Sequence, residues 1–320
     1  MCRSTARTSP STTSIEPALR LVLPGTPLIT TVKRALTCGT LSALLCGSAL
    51  ARDQHVLWTV EGQHNTVYLL GSIHVLRASD GGLPPVADAA YTDAEQLVME
   101  IDMDDAAAEP LSLLGSMQRS ATLPAGTTLR GVLGADYAHV QAQALDAGVD
   151  LALFDGYAPW FVAITLMSLE LAKRGFDPAL GIEHTLAARA SGDHKPISGL
   201  ETAEQQFAVL SSLPLPEQKR FLLMSLEEAG HIDEELDSML SAWRTGDTEK
   251  LATLLSSEFD KFPELYKPLT EDRNRAWMGK LVDLLDEDDD YLVVVGALHL
   301  VGHNSVVDLL RERGYEVRQQ

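Results

Sequence analysis

Apolar positions cluster into runs of two kinds, and their spacing sets the elements. His55 to Val60 and Thr66 to Val75 are β-rich and flank Glu61-Gly62-Gln63-His64-Asn65, which predicts a hairpin. The second run, TVYLLGSIHV, is almost continuously apolar, as a strand buried on both faces must be. Pro84-Pro85 open a helix, VADAAYTDAEQ, that leads to another apolar run, Leu97 to Asp102. Strand, short helix and strand predict a crossover with these two strands as parallel neighbours. From 104 to 190 the pattern is helical. Asp150 to Glu170 is strongly apolar, Pro159 suits a first helical turn, Gly175-Phe176-Asp177-Pro178 breaks the run, and Gly181-Ile182-Glu183 starts a shorter helix. Lys195 to Leu200 predicts a short strand ending at Glu201. Helices follow over about 216–244, 247–255 and 271–285. The acidic run Asp286 to Asp290 predicts a solvated turn. Tyr291 to Val295 is the most β-like segment, Asn304 to Arg313 predicts a helix, and Tyr315 to Arg318 a closing strand. The expected fold is mixed α/β, a central mixed β-sheet built from N- and C-terminal strands with a large helical insert at about 104–190.

The first 51 residues follow another logic. Lys33-Arg34 precede ALTCGTLSALLCGSALA, which ends in Ala49-Leu50-Ala51: a positive flank, a short apolar stretch and a small-x-small ending. This is the pattern of a secretory signal cleaved after Ala51, so residues 52–320 are expected to form one domain in the periplasm or outside the cell. The stretch is too short and too rich in Ser, Thr and Gly to predict a lasting membrane span. Charge agrees with export as a soluble protein. The chain has 45 acidic and 25 basic residues, and residues 1–51 hold only one of the former and five of the latter. With no basic face to track a phosphate backbone, nucleic acid is excluded as a partner. Cys2, Cys38 and Cys46 all lie in the leader, which removes a disulfide framework, a thiolate zinc site and a cysteine nucleophile from the remainder.

One short phrase recurs. Gly71-Ser72-Ile73-His74 and Gly296-Ala297-Leu298-His299 each close an apolar strand. In one parallel sheet both imidazoles would emerge at the carboxyl edge, where open α/β sheets bind ligands. Glu100 ends a third apolar run. Two imidazoles and a carboxylate make a mixed N/O set that suits a divalent metal with a position left for water. A single Gly-x-x-His is equally consistent with a packed or capping histidine, and Glu100 alone with a solvated strand end. No Gly-x-Ser-x-Gly elbow and no glycine-rich phosphate loop occurs.

The order of motifs resembles the TraB/GumN family, also called Tiki-like, within a wider group that includes erythromycin-esterase-like and ChaN-like proteins. The matching residues are Gly71-Ser72-Ile73-His74, Glu100 in LVMEID, Gly181-Ile182-Glu183, and Gly199-Leu200-Glu201-Thr202 with Glu204-Gln205. They continue with Arg273-Asn274 ahead of Trp277, then Gly296-Ala297-Leu298-His299-Leu300-Val301-Gly302, and the ending LLRERGYEV. The resemblance implies a metal-dependent hydrolase, a Tiki-like metalloprotease, with His74, His299 and Glu100 on a divalent Mn, Co or Zn ion and a peptide or small ester or amide as substrate. Glu201 is then the candidate general base or second carboxylate ligand, with a helix-capping or ion-pairing role as its alternative. Arg273 is the candidate fixed charge for an oxyanion, oriented by Asn274, with an ion pair among the acidic excess as its alternative. Other readings of the same edge are a non-catalytic envelope protein that binds haem or a signalling peptide, and a metal-independent esterase-like hydrolase.

The exported protein is expected to begin at Arg52, read by N-terminal sequencing of the envelope fraction. Recovery there of a chain that still begins at Met1 would refute cleavage.

Overall fold

The computed structural model describes residues 54–101, 110–228, 232–260 and 263–320. The leader, its cysteines and the start of the expected helical insert lie outside the described residues. Six strands form one sheet: β1 (Leu57–Glu61), β2 (Thr66–Ser72), β3 (Gln96–Ile101), β4 (Ile197–Glu201), β5 (Tyr291–Gly296) and β6 (Val317–Gln319), in the order β4-β3-β5-β2-β1-β6. β4, β3, β5 and β2 are mutually parallel, whereas β1 runs antiparallel to both β2 and β6. The mixed α/β class and the hairpin follow the sequence pattern.

One pairing differs from expectation. β2 and β3 are not neighbours, because β5 lies between them and pairs parallel with each. All six residues of β5 are buried, so this strand needs cover on both faces and both edges, and the middle of the sheet supplies it. The chain therefore leaves a gap after β2 that its last quarter fills. The outcome matters for chemistry: the three strands that end near His74, Glu100 and His299 are consecutive in the sheet.

Between β2 and β3, α1 (Pro85–Asp93) begins with Pro85 in its first turn. Between β3 and β4 the chain forms α2 (Pro110–Ala121), α3 (Leu129–Leu133), α4 (Tyr137–Asp146), α5 (Pro159–Lys173) and α6 (Ile182–Asp193). α7 (Ala203–Ser211) follows β4 directly and is started by Thr202, which with Gln205 forms a capping box. Over 216–244 the described residues form α8 (Leu215–Glu228) and α9 (Ile232–Arg244), as the pattern predicts a helical stretch there. Then come α10 (Thr248–Asp260), α11 (Pro263–Tyr266), a π-helical turn at Lys267–Glu271, α12 (Asp272–Leu284) and, after β5, α13 (Val306–Glu312). Apolar packing falls into two clusters. One surrounds the sheet and includes Leu69, Leu97, Val294 and Trp277. The other joins α3, α4, α5 and α8 around Leu129, Val140, Trp160 and Leu222.

The acidic turn is more than a solvated loop. Thr66 N–H donates to Asp290 Oδ1 (2.6 Å), and Gln96 Nε2 to Asp289 Oδ2 (2.7 Å). It thus ties together the starts of β2, β3 and β5 at the edge opposite the histidines.

A glycine contact docks α6 against the first histidine. The N–H of Ile182 donates to Ile73 O (3.1 Å), and a β-carbon on Gly181 would lie 2.2 Å from the backbone oxygen of His74. Backbone cannot yield as a side chain can. Gly181→Ala is expected to destabilise the protein by about 1–3 kcal/mol, the usual cost of overpacking, seen as a lower urea midpoint. An unchanged midpoint would show that this contact is not tight in solution.

Candidate active site

The two repeated phrases and Glu100 do converge at the carboxyl edge of β2, β3 and β5. Trp243 Nε1 fixes the first phrase by donating to Gly71 O (2.6 Å). His74 follows, its Nδ1 2.6 Å from Glu183 Oε1 at the start of α6, and Ser72 Oγ donates to the same oxygen. The opposite ring nitrogen, Nε2, lies 3.4 Å from where a β-carbon of Gly296 would be, and Glu100 Oε1 lies 3.3 Å from that same point. Gly296 therefore lets an imidazole nitrogen and a carboxylate oxygen both approach one point on the strand end, which a β-carbon would crowd. His74 is largely exposed and lines, with Glu100, Glu183, His184, Pro178 and Gln206, a cavity of about 240 Å³.

Glu100 is nearly buried and bridges two environments. Oε1 accepts from the Gly296 N–H (2.8 Å), while Oε2 accepts from Gln206 Nε2 (2.9 Å) and from Arg273 Nη2. Burial opposes its charge, but His299, Arg273, His74 and the Gly296 N–H outweigh that and hold its carboxyl down at about 2. A carboxylate so acidic is a fixed negative charge and a poor proton acceptor.

His299 is buried beneath Trp277, with ring centroids 4.5 Å apart. Its tautomer follows from its partners. Asn274 Nδ2 donates to Asn304 O (2.9 Å), so Asn274 Oδ1 faces His299 Nδ1 (2.7 Å) and accepts its proton. Arg273 Nη1 lies 3.0 Å from His299 Nε2, and an arginine only donates, so Nε2 carries the lone pair. Burial pushes the ring down to about 4, with the Arg273 charge acting the same way against an opposing pull from Glu100. His299 is neutral at pH 7. His74 is its opposite. The Glu183 charge and hydrogen bond lift it to about 9, so its imidazolium persists at neutral pH.

Arg273 completes the cluster from the first turn of α12. Nε and Nη2 donate to Glu201 Oε1 (3.0 and 2.6 Å), and Trp277 Nε1 donates to Glu201 Oε2 (3.2 Å). Nη1 also donates to Leu269 O (3.2 Å) in the π-helical turn.

The family follows from comparison. A model of the TraB/PrgY/gumN family matches residues 56–319. The chain belongs to this family. Uncharacterized protein YbaP of Escherichia coli (strain K12) is 29% identical over 270 residues, 82% of this chain and 96% of YbaP. Metalloprotease TIKI2 of Xenopus tropicalis is 26% identical and Metalloprotease TIKI homolog of Nematostella vectensis 22%. Each alignment covers 82% of this chain, and 59% and 66% of those proteins respectively. No solved structure matches the chain.

In this TraB/PrgY/gumN protein the structure brings together all six residues expected from sequence, with changed partners. His74 Nε2 and Glu100 Oε1 approach the same point over Gly296. His299 Nε2 faces Arg273 instead. Among the described residues, no group of three His, Cys, Asp or Glu is arranged to hold a metal ion. Glu201 is not placed as a free base, since both its oxygens accept from Arg273 or Trp277. It is not a cap either, because Thr202 caps α7. Arg273 has no N–H left for an oxyanion, and Asn274 orients His299 and not the guanidinium. His303, close in sequence to the site, is fully exposed and 3.9 Å from Asp308. Sequence reasoning missed Gln206 and His184 as lining residues, and it left Glu183 without its role of holding His74. The available signal for Glu183 was its place just after Gly181 in a matched motif.

Glu183→Gln removes the charge beside His74. The His74 titration, followed by NMR of its ring protons, is expected to fall from about 9 toward the ordinary histidine value of about 6.5. A titration that stays near 9 would mean that Glu183 does not set it.

Proposed function

We propose that the protein is an exported hydrolase of the cell envelope, acting on a peptide or a small ester or amide with a divalent cation at the edge where β2, β3 and β5 end. The distant likeness to proteins named metalloproteases supports hydrolysis. The observation that carries the reading is the approach of His74 Nε2 (3.4 Å) and Glu100 Oε1 (3.3 Å) to the same point over Gly296. His74 is presented as metal-binding histidines usually are, its other nitrogen held by a carboxylate. Glu183 Oε2 is buried without a hydrogen-bond partner, on a residue that lines the same cavity. His299 does not fit the ligand role, because Arg273 uses its lone pair.

His74, on losing its Nε2 proton to solvent, and Glu100 would thus hold the ion, which when bound would supply Lewis acidity to polarise a carbonyl and to favour attack by water. The remaining groups act through charge and position. Glu100 stays ionised across the working range, and Gln206 and the Gly296 N–H fix its two oxygens. Ser72 and Glu183 fix the ring plane of His74. Arg273 and Asn274 immobilise His299, which forms the rigid floor next to Glu100.

A second reading is favoured by two of the same observations. A cationic His74 beside an open cavity can donate a proton to a departing amine or alkoxide, and Arg273 already occupies the His299 lone pair. This hydrolase needs no metal.

Metal analysis of the purified protein, with peptidase and esterase assays before and after chelation, separates the two. The metal reading expects about one Mn, Co or Zn ion per chain, lost in His74→Ala, and activity that chelation abolishes and the ion restores. Chelator-resistant turnover lost in His74→Ala selects the acid–base reading. Turnover unaffected by His74→Ala would sink both.

A further inference from the structure

Arg273 stands where an ion would stand. Its five N–H bonds are all used: two on Glu201, one on Glu100, one on His299 Nε2 and one on Leu269 O. Two carboxylates and one neutral imidazole thus converge on a single positive centre, the kind of mixed oxygen and nitrogen set that binds divalent cations. The pocket is largely dry. Side-chain exposure is 10% for Arg273, 9% for Glu201, 11% for Glu100 and 6% for His299. Its shape is fixed from outside the ion pair, by Trp277 on Glu201, Asn274 on His299 and Gln206 on Glu100. A second cavity, of about 570 Å³ and lined by Glu201, Gln205, Val209, Arg273 and Trp277, lies against the guanidinium and gives access to it.

We infer that the guanidinium of Arg273 is the resident cation of a Glu100–Glu201–His299 pocket. It keeps inorganic cations off His299, and its removal turns the pocket into a divalent-cation site. Glu100 is then shared between two positions, with Oε2 serving the built-in cation and Oε1 on the His74 side. The charges support this division. Two buried carboxylates and one guanidinium carry one net negative charge, and a divalent ion in place of the arginine would bring the set to neutrality. Arginine and ion together are disfavoured by their repulsion at short range.

The test uses Zn²⁺ as the probe and reads binding and not turnover. His74→Ala isolates the pocket from the His74 side, and His74→Ala/Arg273→Ala then empties it. Long-range ¹H–¹⁵N spectra are expected to show His299 Nε2 unmoved by Zn²⁺ in the wild type and in His74→Ala. The double variant is expected to gain about one equivalent of Zn²⁺, to bind it roughly tenfold or more tightly than His74→Ala does, and to shift His299 Nε2. It should also melt at a lower temperature than His74→Ala and recover on adding Zn²⁺, as the ion replaces the lost charge. A stoichiometric shift of His299 Nε2 in the wild type would overturn the inference. So would a folded double variant that gains no His299-dependent site. Should the double variant not fold, the wild-type spectrum decides alone, an unmoved His299 upholding the exclusion and a moved one ending it. A protein that turns over no substrate, or takes no ion at His74, leaves each of these outcomes readable, so this inference and the hydrolase reading can fail separately.

Discussion

The buried guanidinium of Arg273 organises everything at the sheet edge. Two carboxylates could not share so small and dry a volume without a positive charge between them. That charge also sets the state of its neighbours, holding the Glu100 carboxyl low and helping to keep His299 neutral. Because it arrives on α12 and meets Glu100 from β3, Glu201 from β4 and His299 from just after β5, it ties three strand ends to one helix. The sheet supplies the positions and the arginine supplies the reason they can coexist.

The two histidines of the repeated phrase are consequently unlike each other. Each has one ring nitrogen fixed by an oxygen, yet one partner is the Glu183 carboxylate and the other the Asn274 amide. The carboxylate makes an exposed imidazolium and the amide permits a buried neutral ring. A motif repeated in sequence has thus been given two electrostatic settings by residues far from it in the chain. The histidine that opens onto a cavity is His74, whereas the His299 ring is itself covered by Trp277 and Arg273.

Much of this was legible in the residues alone. Unbroken apolar runs ending in Gly-x-x-His marked β2 and β5, and on the condition that both lie parallel in one sheet, which they do, put both imidazoles at one edge. Pro85, Pro159 and Gly181 marked helix starts for reasons of backbone geometry. Strand order was not legible. β5 enters between β2 and β3 from some two hundred residues away, and nothing in the two flanking runs records the gap. The roles of Glu201 and Arg273 were hidden for a related reason: an ion pair and a free catalytic group are the same residue types, and only the partner distinguishes them. For both residues the ion-pairing alternative describes the arrangement found.

The turn at Lys267–Glu271 carries a geometric consequence. Its π-helical hydrogen bond, from the Asp272 N–H to Lys267 O, spans one residue more than an ordinary helical turn. Each residue of an α-helix advances about 100° around the axis, so one surplus position redirects the whole face that follows. Deleting it would swing Arg273, Asn274 and Trp277 together away from the strand ends. Three separate anchoring contacts therefore share a single point of phase control, in the turn just before the helix that carries them.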